Sequence, residues 1–404
     1  DVYQNGVKLG DADYTATNGT SVVLGTTASN GDIVVVVVYD VFSVADTVSK
    51  TDGGQFDGAV TLAGGVSGNT TFNNVVAIVG DLQSSTSGTS NFRAGVNAGD
   101  SIQSGGNYNV FVGDEAGQAI TTGDNNVAVG FEALSTEDTH SRNTAIGHQS
   151  LKTLNAGANA QSTAVGYNSA KAVTTGIENT FIGASSGETA TTPNYTVAVG
   201  KSALGGVLTG DYNTAVGYHA GIASTSATLN TLVGAFSGDA LTTGTTNVAV
   251  GYNTLSTETT GQRNTAVGYS ALANQNFTSS DQTYNTAFGF YAGLNLTSGS
   301  FNTLMGGISG DALTTGITNV AYGYGSLTSD TAGNRSTALG YNTLQNQNLS
   351  SSTDTYNTAV GYQAGISVTT GLHNVLVGGL AGDALTDADY NVAIGGLALS
   401  SDTQ

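Results

Sequence analysis

The residues best suited to recognition chemistry recur in columns. An aromatic residue directly follows a glycine at Phe131, Tyr167, Tyr218, Tyr252, Tyr269, Phe290, Tyr324, Tyr341 and Tyr362. Stacked rings of this kind offer apolar faces to sugar rings and, from tyrosine, hydroxyls to their edges; the same ladder also serves to cover the corner of a coil. Three segments, Leu151 to Gln161, Ala273 to Tyr284 and Gln345 to Tyr356, insert extra polar residues into an otherwise regular spacing. Long loops on a rigid scaffold are where binding concentrates. The candidate receptor contacts are therefore Phe277, Tyr284, Leu349, Tyr356, Tyr252, Tyr269, Tyr324 and Tyr341. Arg142, Arg263 and Arg335 each follow an acid by five residues, Glu137, Glu258 and Asp330 respectively. That joint recurrence predicts a structural Arg–carboxylate clasp inside each loop.

Reactive chemistry is poorly represented. His140, His148, His219 and His373 fall at unrelated places in the repeat, and no nucleophile, base and acid converge, so no enzymatic activity is expected. Acids at Glu188, Asp239, Asp311 and Asp383 recur five places after a glycine, too sparsely for a calcium site, and neither a metal nor a cofactor is expected. There is no cysteine, hence no disulfide or thiolate ligand. A net charge of −20 with only nine Lys and Arg argues against nucleic acid, which needs a basic stripe. No stretch approaches the apolar length of a membrane-spanning helix, so membrane insertion is not expected.

The elements that must position the columns follow from one period. Glycines at 113, 130, 147, 166, 183, 200, 217, 234, 251, 268, 289, 306, 323, 340, 361, 378 and 395 are mostly 17 residues apart, with Gly95 a degenerate forerunner. Each closes a pentad of the type Asn-Thr-Ala-Val-Gly. A fixed period in the tens of residues marks a solenoid whose single units cannot bury an apolar face alone. The residue three places before each glycine is Thr or Val and the one directly before it is apolar, so the two share one face of a short strand. Those bulky positions are expected to face inward, and the intervening small residue, usually Ala, to face outward against a neighbour. A second strand per coil is expected after the pentad, then a Thr-Thr-Gly corner with positive φ at Gly123, Gly176, Gly244, Gly316 and Gly371. Asn, or in places Ser, at the head of the pentads predicts a ladder of side-chain hydrogen bonds.

A longer repeat is superposed. The run NTLVGAFSGDALTTGTTNVAVG from Asn230 returns 72 residues later as NTLMGGISGDALTTGITNVAYG and again from Asn374. The first coil of each four-coil block replaces the middle Ala by Phe111, Phe181, Leu232, Leu304 or Leu376, expected to act as plugs on an axial face. The block beginning near Asn179 has three coils. Before the repeats, three Asn-Gly pairs at 5–6, 18–19 and 30–31 separate β-rich runs, which reads as hairpins. The run Ile33 to Tyr39 reads as a strand buried on both faces. The fold class is therefore all-β: an N-terminal antiparallel β-module (1–48), a Gly-rich neck (49–90) and a parallel β-solenoid (91–404). With few large side chains per coil and a small-residue face, three parallel chains are expected to pack as a homotrimer. An ice-binding array, which needs outward threonines, is disfavoured because Thr is assigned inward.

The opening VYQNGVKLGDADYTATNGTSVVLGTTASNGDIVVVVVYDVFSV resembles the small β-module of phage tail fibres, notably of marine phages, and SKTDGGQFDGAVTL resembles the segment that often follows it. The pentads in NTAVGYHAG and NTAVGYSAL are similar to fibre repeats and, more distantly, to those of trimeric autotransporter adhesin heads. The resemblance implies a parallel homotrimeric β-roll on a virion or extracellular surface, joined at its N-terminus to other virion or fibre components. It implies attachment to a host surface glycan or protein. A bacterial surface adhesin is the alternative, and a fibre-borne polysaccharide depolymerase a lesser one. The chain begins at Asp1 and shows no C-terminal anchor or chaperone segment, so a longer parent protein is expected.

Overall fold

A computed structural model describes residues 86–401, apart from 158, 280 and 281, together with parts of 2–36. Two compact units divide at Ala77 and Ile78. In the first, Val2–Gln4 pairs antiparallel with both Val7–Lys8 and Val34–Val36, and Tyr14–Thr15 pairs with Val23–Leu24. Asn5 and Gly6 form the expected hairpin turn with positive φ of 50° and 78°, the conformation that two-residue hairpins demand. The pairs at 18–19 and 30–31 and residues 49–85 of the 49–90 neck lie outside the described residues. The strand Val34–Val36 is exposed on both faces rather than buried, since nothing in the described part of this unit covers it.

The second unit is a single parallel sheet of 18 strands, from Phe92–Ala94 to Val392–Ile394. Each strand is three residues long and pairs in register with the next coil, as in Thr303↔Val320, Leu304↔Ala321 and Met305↔Tyr322. Among the described residues no second strand forms in the rest of the coil, except that Gly333–Asn334 pairs with Thr353–Asp354 and a single parallel bridge joins Gln262 and Gln282. The reason is local. Residues two and four places after the pentad glycine, such as Asn253 and Leu255, take left-handed φ of 58° and 47°, which breaks an extended ladder.

The strand faces are the reverse of the sequence expectation. The middle residue of each pentad is the buried one: Ala128, Ala249 and Ala338 have no exposed surface. The flanking positions look out, with Ile146, Phe288, Tyr322 and Leu339 between 38% and 53% exposed. Ala is small because the coil is thin, not because another chain packs on it. Inside the coil the middle residue meets the position four after the glycine, and in most coils the two trade volume; where Ala215, Ala287 and Ala359 face Gly221, Gly293 and Gly365, leucines of the neighbouring coils reach into the space. Where the middle is Ala128, Ala198, Ala249 or Ala321, the opposing residue is Leu134, Leu204, Leu255 or Leu327, all buried. Where the middle is Phe111, Phe181, Leu232, Leu304 or Leu376, it is Gly117, Gly187, Gly238, Gly310 or Gly382. A Cβ on Gly310 would sit 2.8 Å from the Leu304 side chain, and one on Gly293 in the preceding coil 2.7 Å from it. The large residues are therefore plugs of the coil interior, matched by glycine, and not axial plugs between chains.

Two further backbone features hold the stack. The pentad glycine is compulsory: Gly251 has φ of +134°, and a Cβ there would lie 2.1 Å from the carbonyl oxygen of Gly268 in the next coil. Asn side chains form the expected ladder; Asn302 Oδ1 accepts the Asn319 N–H at 2.9 Å, while Asn302 Nδ2 donates to the Gly316 carbonyl at 2.8 Å. The corner glycines differ from expectation. Gly123, Gly176, Gly244, Gly316 and Gly371 do not have positive φ; they are needed because the next coil comes too close, a Cβ on Gly316 lying 2.5 Å from the Gly333 carbonyl oxygen.

Candidate functional site

Two exposed aromatic ladders stand at the two ends of the strands. The one after the pentad glycine contains Tyr252, Tyr269 and Phe290, with ring centroids 5.3 and 5.5 Å apart, and one block later Tyr324, Tyr341 and Tyr362, 5.7 and 5.5 Å apart. These rings stack nearly parallel, interplanar angles running from 8° to 22°. Gly307 interrupts the column between the two triplets and lies against Tyr324, so each triplet is a separate platform. His148 supplies a rung between Phe131 and Tyr167. The second ladder lies five residues before the pentad glycine, at left-handed positions. It holds Tyr195 on Tyr212, Tyr284 on Phe301, and Tyr356, His373 and Tyr390 in one stack. Histidine is planar and continues such a stack, a signal that only alignment of the columns reveals.

The eight expected receptor contacts divide accordingly. Tyr252, Tyr269, Tyr324, Tyr341, Tyr284 and Tyr356 are all exposed, on the two ladders. Phe277 and Leu349 are buried and cannot touch a receptor; each is the part of its loop that folds back onto the coil. The loops are pinned from within. Glu258, fully buried, accepts N–H bonds from Thr259, Thr260, Gly261 and Phe277 on Oε1, and Gln275 Nε2 donates to its Oε2 at 2.8 Å. Gln275 in turn accepts from Asn285 of the Asn ladder. One block later, Asp330 accepts from Gly333 and Leu349 N–H and from Gln347 Nε2, and Gln347 accepts from Asn357. Burial pushes the Asp330 carboxyl above its usual value, against the opposing effect of Gln347 and the backbone donors.

None of the three expected Arg–carboxylate clasps forms among the described residues. Glu137, Glu258 and Asp330 occupy the inward column seven places after the pentad glycine, where Leu241, Leu296 and Leu313 sit in other coils. Arg142, Arg263 and Arg335 belong to the outer aromatic column instead. Arg263 lies over the Tyr284 ring at 5.3 Å and Arg335 over Tyr356 at 5.5 Å, and Arg335 pairs with Asp354. The guanidinium thus caps each stack as a cation over a π face. Asp239 and Asp311 are half-buried, and burial raises both carboxyls, but the column brings no two of them together. The feature that sequence reading missed is the Glu/Asp, Gln (+17), Asn (+10) series at 258, 275, 285 and 330, 347, 357; its repetition one block apart was the available signal.

No helix among the described residues is long and apolar enough to cross a membrane. Set against known protein families, curated proteins and solved structures, the chain matches none.

Proposed function

We propose that the chain is the shaft of an extracellular attachment fibre, of the kind a virion carries, built from parallel copies of itself and offering its aromatic ladders to a host surface glycan. One observation carries the reading: a parallel sheet of 18 strands has one whole face uncovered, lined beyond Phe92 and Ala94 of the first strand by Thr or Val and by Val, Ile, Phe, Met, Tyr or Leu. Parallel sheets are normally covered on both faces, and an apolar stripe of this extent, about 80 Å at about 4.8 Å per coil, is far beyond the patches of a few hundred Å² that monomers expose. Three copies meeting on this face are the simplest closed solution for parallel rods, and they leave both ladders on the rim. The Ala face plays no part in it, being consumed inside the coil.

Sedimentation equilibrium of the full chain at micromolar concentration tests this. A trimer of the 40.3 kDa chain is expected, and Val199→Glu with Val216→Glu, both on the outward face, is expected to dissociate it while leaving the circular dichroism unchanged. A monomer at all concentrations overturns the assembly. The outward threonines, among them Thr265, Thr286 and Thr303, favour one other reading, an ice-binding surface. The adjoining column disfavours it, because Phe288, Met305 and Tyr322 make the face uneven. Thermal hysteresis in freezing solutions of the protein distinguishes the two, and none is expected.

A further inference from the structure

The inward column seven places after the pentad glycine carries a buried carboxylate three times, and the three turns are not alike. At Glu258 and Asp330 the second carboxylate oxygen receives an amide proton from Gln275 or Gln347 of the next coil. At Glu137 the corresponding residue of the next coil is Leu154, which is fully buried and donates nothing. Glu137 Oε1 accepts the N–H groups of Asp138 and His140, but its Oε2 is buried with no hydrogen-bond partner. An orphaned carboxylate oxygen in a dry site is costly and demands a partner.

The residues around it differ in the same turn. Positions one and three after the acid are Thr259 and Gly261 in the second turn and Thr331 and Gly333 in the third, but Asp138 and His140 in the first. Glycine is the rule there because a Cβ on Gly261 would lie 2.5 Å from the Glu258 carboxylate. His140 breaks that rule and brings its Nδ1 to 2.5 Å from Glu137 Oε1 and 3.9 Å from Asp138 Oδ1. One ligand atom from each of Glu137, Asp138 and His140 lies within 4.8 Å of the others, and His140 and Asp138 are partly open to solvent.

We propose that Glu137, Asp138 and His140 form a binding site for a divalent transition cation of the zinc type. Two carboxylates and one imidazole suit such a borderline ion at about 2.0–2.2 Å from each ligand, leaving a position for water. The imidazole nitrogen disfavours calcium, which takes oxygen ligands. The cation binds a buried carboxylate that, unlike Glu258 and Asp330, has no Gln of the next coil to satisfy it, and it closes the turn that precedes the smallest of the three enlarged loops, Leu151 to Gln161.

Titration of the metal-stripped full chain with Zn²⁺ by calorimetry, and with Co²⁺ by visible absorption, tests the site. One saturable site per chain is expected, with the d–d bands of a nitrogen- and oxygen-ligated cobalt ion. Asp138→Thr with His140→Gly, which gives this turn the residues of the other two, is expected to weaken binding by about 100-fold or more while the circular dichroism of the metal-free chain stays that of the parent. Asp138→Asn, a change at a half-exposed residue, is expected to weaken it about 10-fold. Absence of saturable binding up to about 1 mM metal, or binding that survives the double substitution, overturns the proposal.

Discussion

Leu304 and Gly310 show how single residues set the core. Replacing Leu304 by Ala removes a fully buried side chain and is expected to cost about 2–5 kcal/mol. Gly310→Leu overfills the same space, because even a Cβ at that position lies 2.8 Å from Leu304. Together the two substitutions recreate the Ala321–Leu327 arrangement of the next coil, where Leu327 already adopts φ of 52°. The double variant is expected to melt above at least one single variant by a coupling of about 1 kcal/mol or more; additive losses in chemical denaturation would refute the volume exchange. Asp330 sets a pH dependence of definite sign. Burial raises its carboxyl in the fold, so the folded chain holds that proton more tightly than the unfolded chain. Its contribution is therefore fully present below the unfolded value of about 3.9 and is lost as pH rises through the raised folded value. Glu132, held below its usual value first by Lys152, acts in the opposite direction and loses its contribution as pH falls. Thermal midpoints of the parent and of Asp330→Asn, compared from about pH 4 to pH 7, isolate the Asp330 part. The parent is expected to decline relative to the variant as pH rises, and parallel curves would dismiss it.

At the scale of the element, the enlarged coils are not free insertions. Replacing Ala273 to Tyr284 by the eight residues Asp311 to Thr318 of a standard coil, which carry Leu313 at the Gln275 position, removes Gln275 and the Phe277 N–H from Glu258 and leaves a buried carboxylate short of donors. Rather than being neutral, as loop length alone implies, the deletion is expected to destabilise the solenoid by about 3–5 kcal/mol. Differential scanning calorimetry of the full chain measures it, and an unchanged transition would return these loops to the class of spacers. The strands and their period were legible in the sequence because the pentad Asn-Thr-Ala-Val-Gly recurs with its glycine fixed and its Asn replaced only at Ser162, Thr196 and Ser336. Which face of the strand is inside was not. Alternation over three residues gives the parity of the faces but not their sign, and a thin coil prefers one small residue inside to two large ones. Nor was the fate of Glu258 and Asp330 legible: an acid standing in a Leu column looks like a surface charge until its Gln and Asn partners are aligned with it. The ladder tyrosines are legible, since Tyr324, Tyr341 and Tyr362 share one register, whereas Phe277 and Leu349 read as contacts in the sequence because loops so often face out, and the fold buries both. On the proposed function, Tyr341→Ala, at the centre of its triplet, is expected to reduce binding of the chain to an immobilised glycan array several-fold with no loss of folding.

At the scale of the whole molecule, each coil holds the next by strand pairs, Asn bonds and backbone approach, so opening one exposes its neighbours. With nine Lys and Arg in the entire chain, the region from Asn109 to Gly395 is expected to survive mild trypsin as one fragment. Rapid cleavage at Lys171, Lys201 or Arg263 in gel analysis would contradict this. The in-register pairing has a further, genetic consequence. Since every coil meets the next with the same offset, and the core volumes repeat in four-coil blocks, a whole block can be gained or lost without creating a new packing problem. Unequal crossing-over between the DNA stretches that encode the runs from Asn230 and Asn302 adds or removes 72 residues, about 19 Å of rod, in one event. The block between Phe181 and Leu232 has three coils instead of four, with Leu204 and Gly221 at the positions four after its second and third glycines. Reach is therefore the property of this molecule that heredity changes most readily, and sister lineages are expected to differ in it by whole coils.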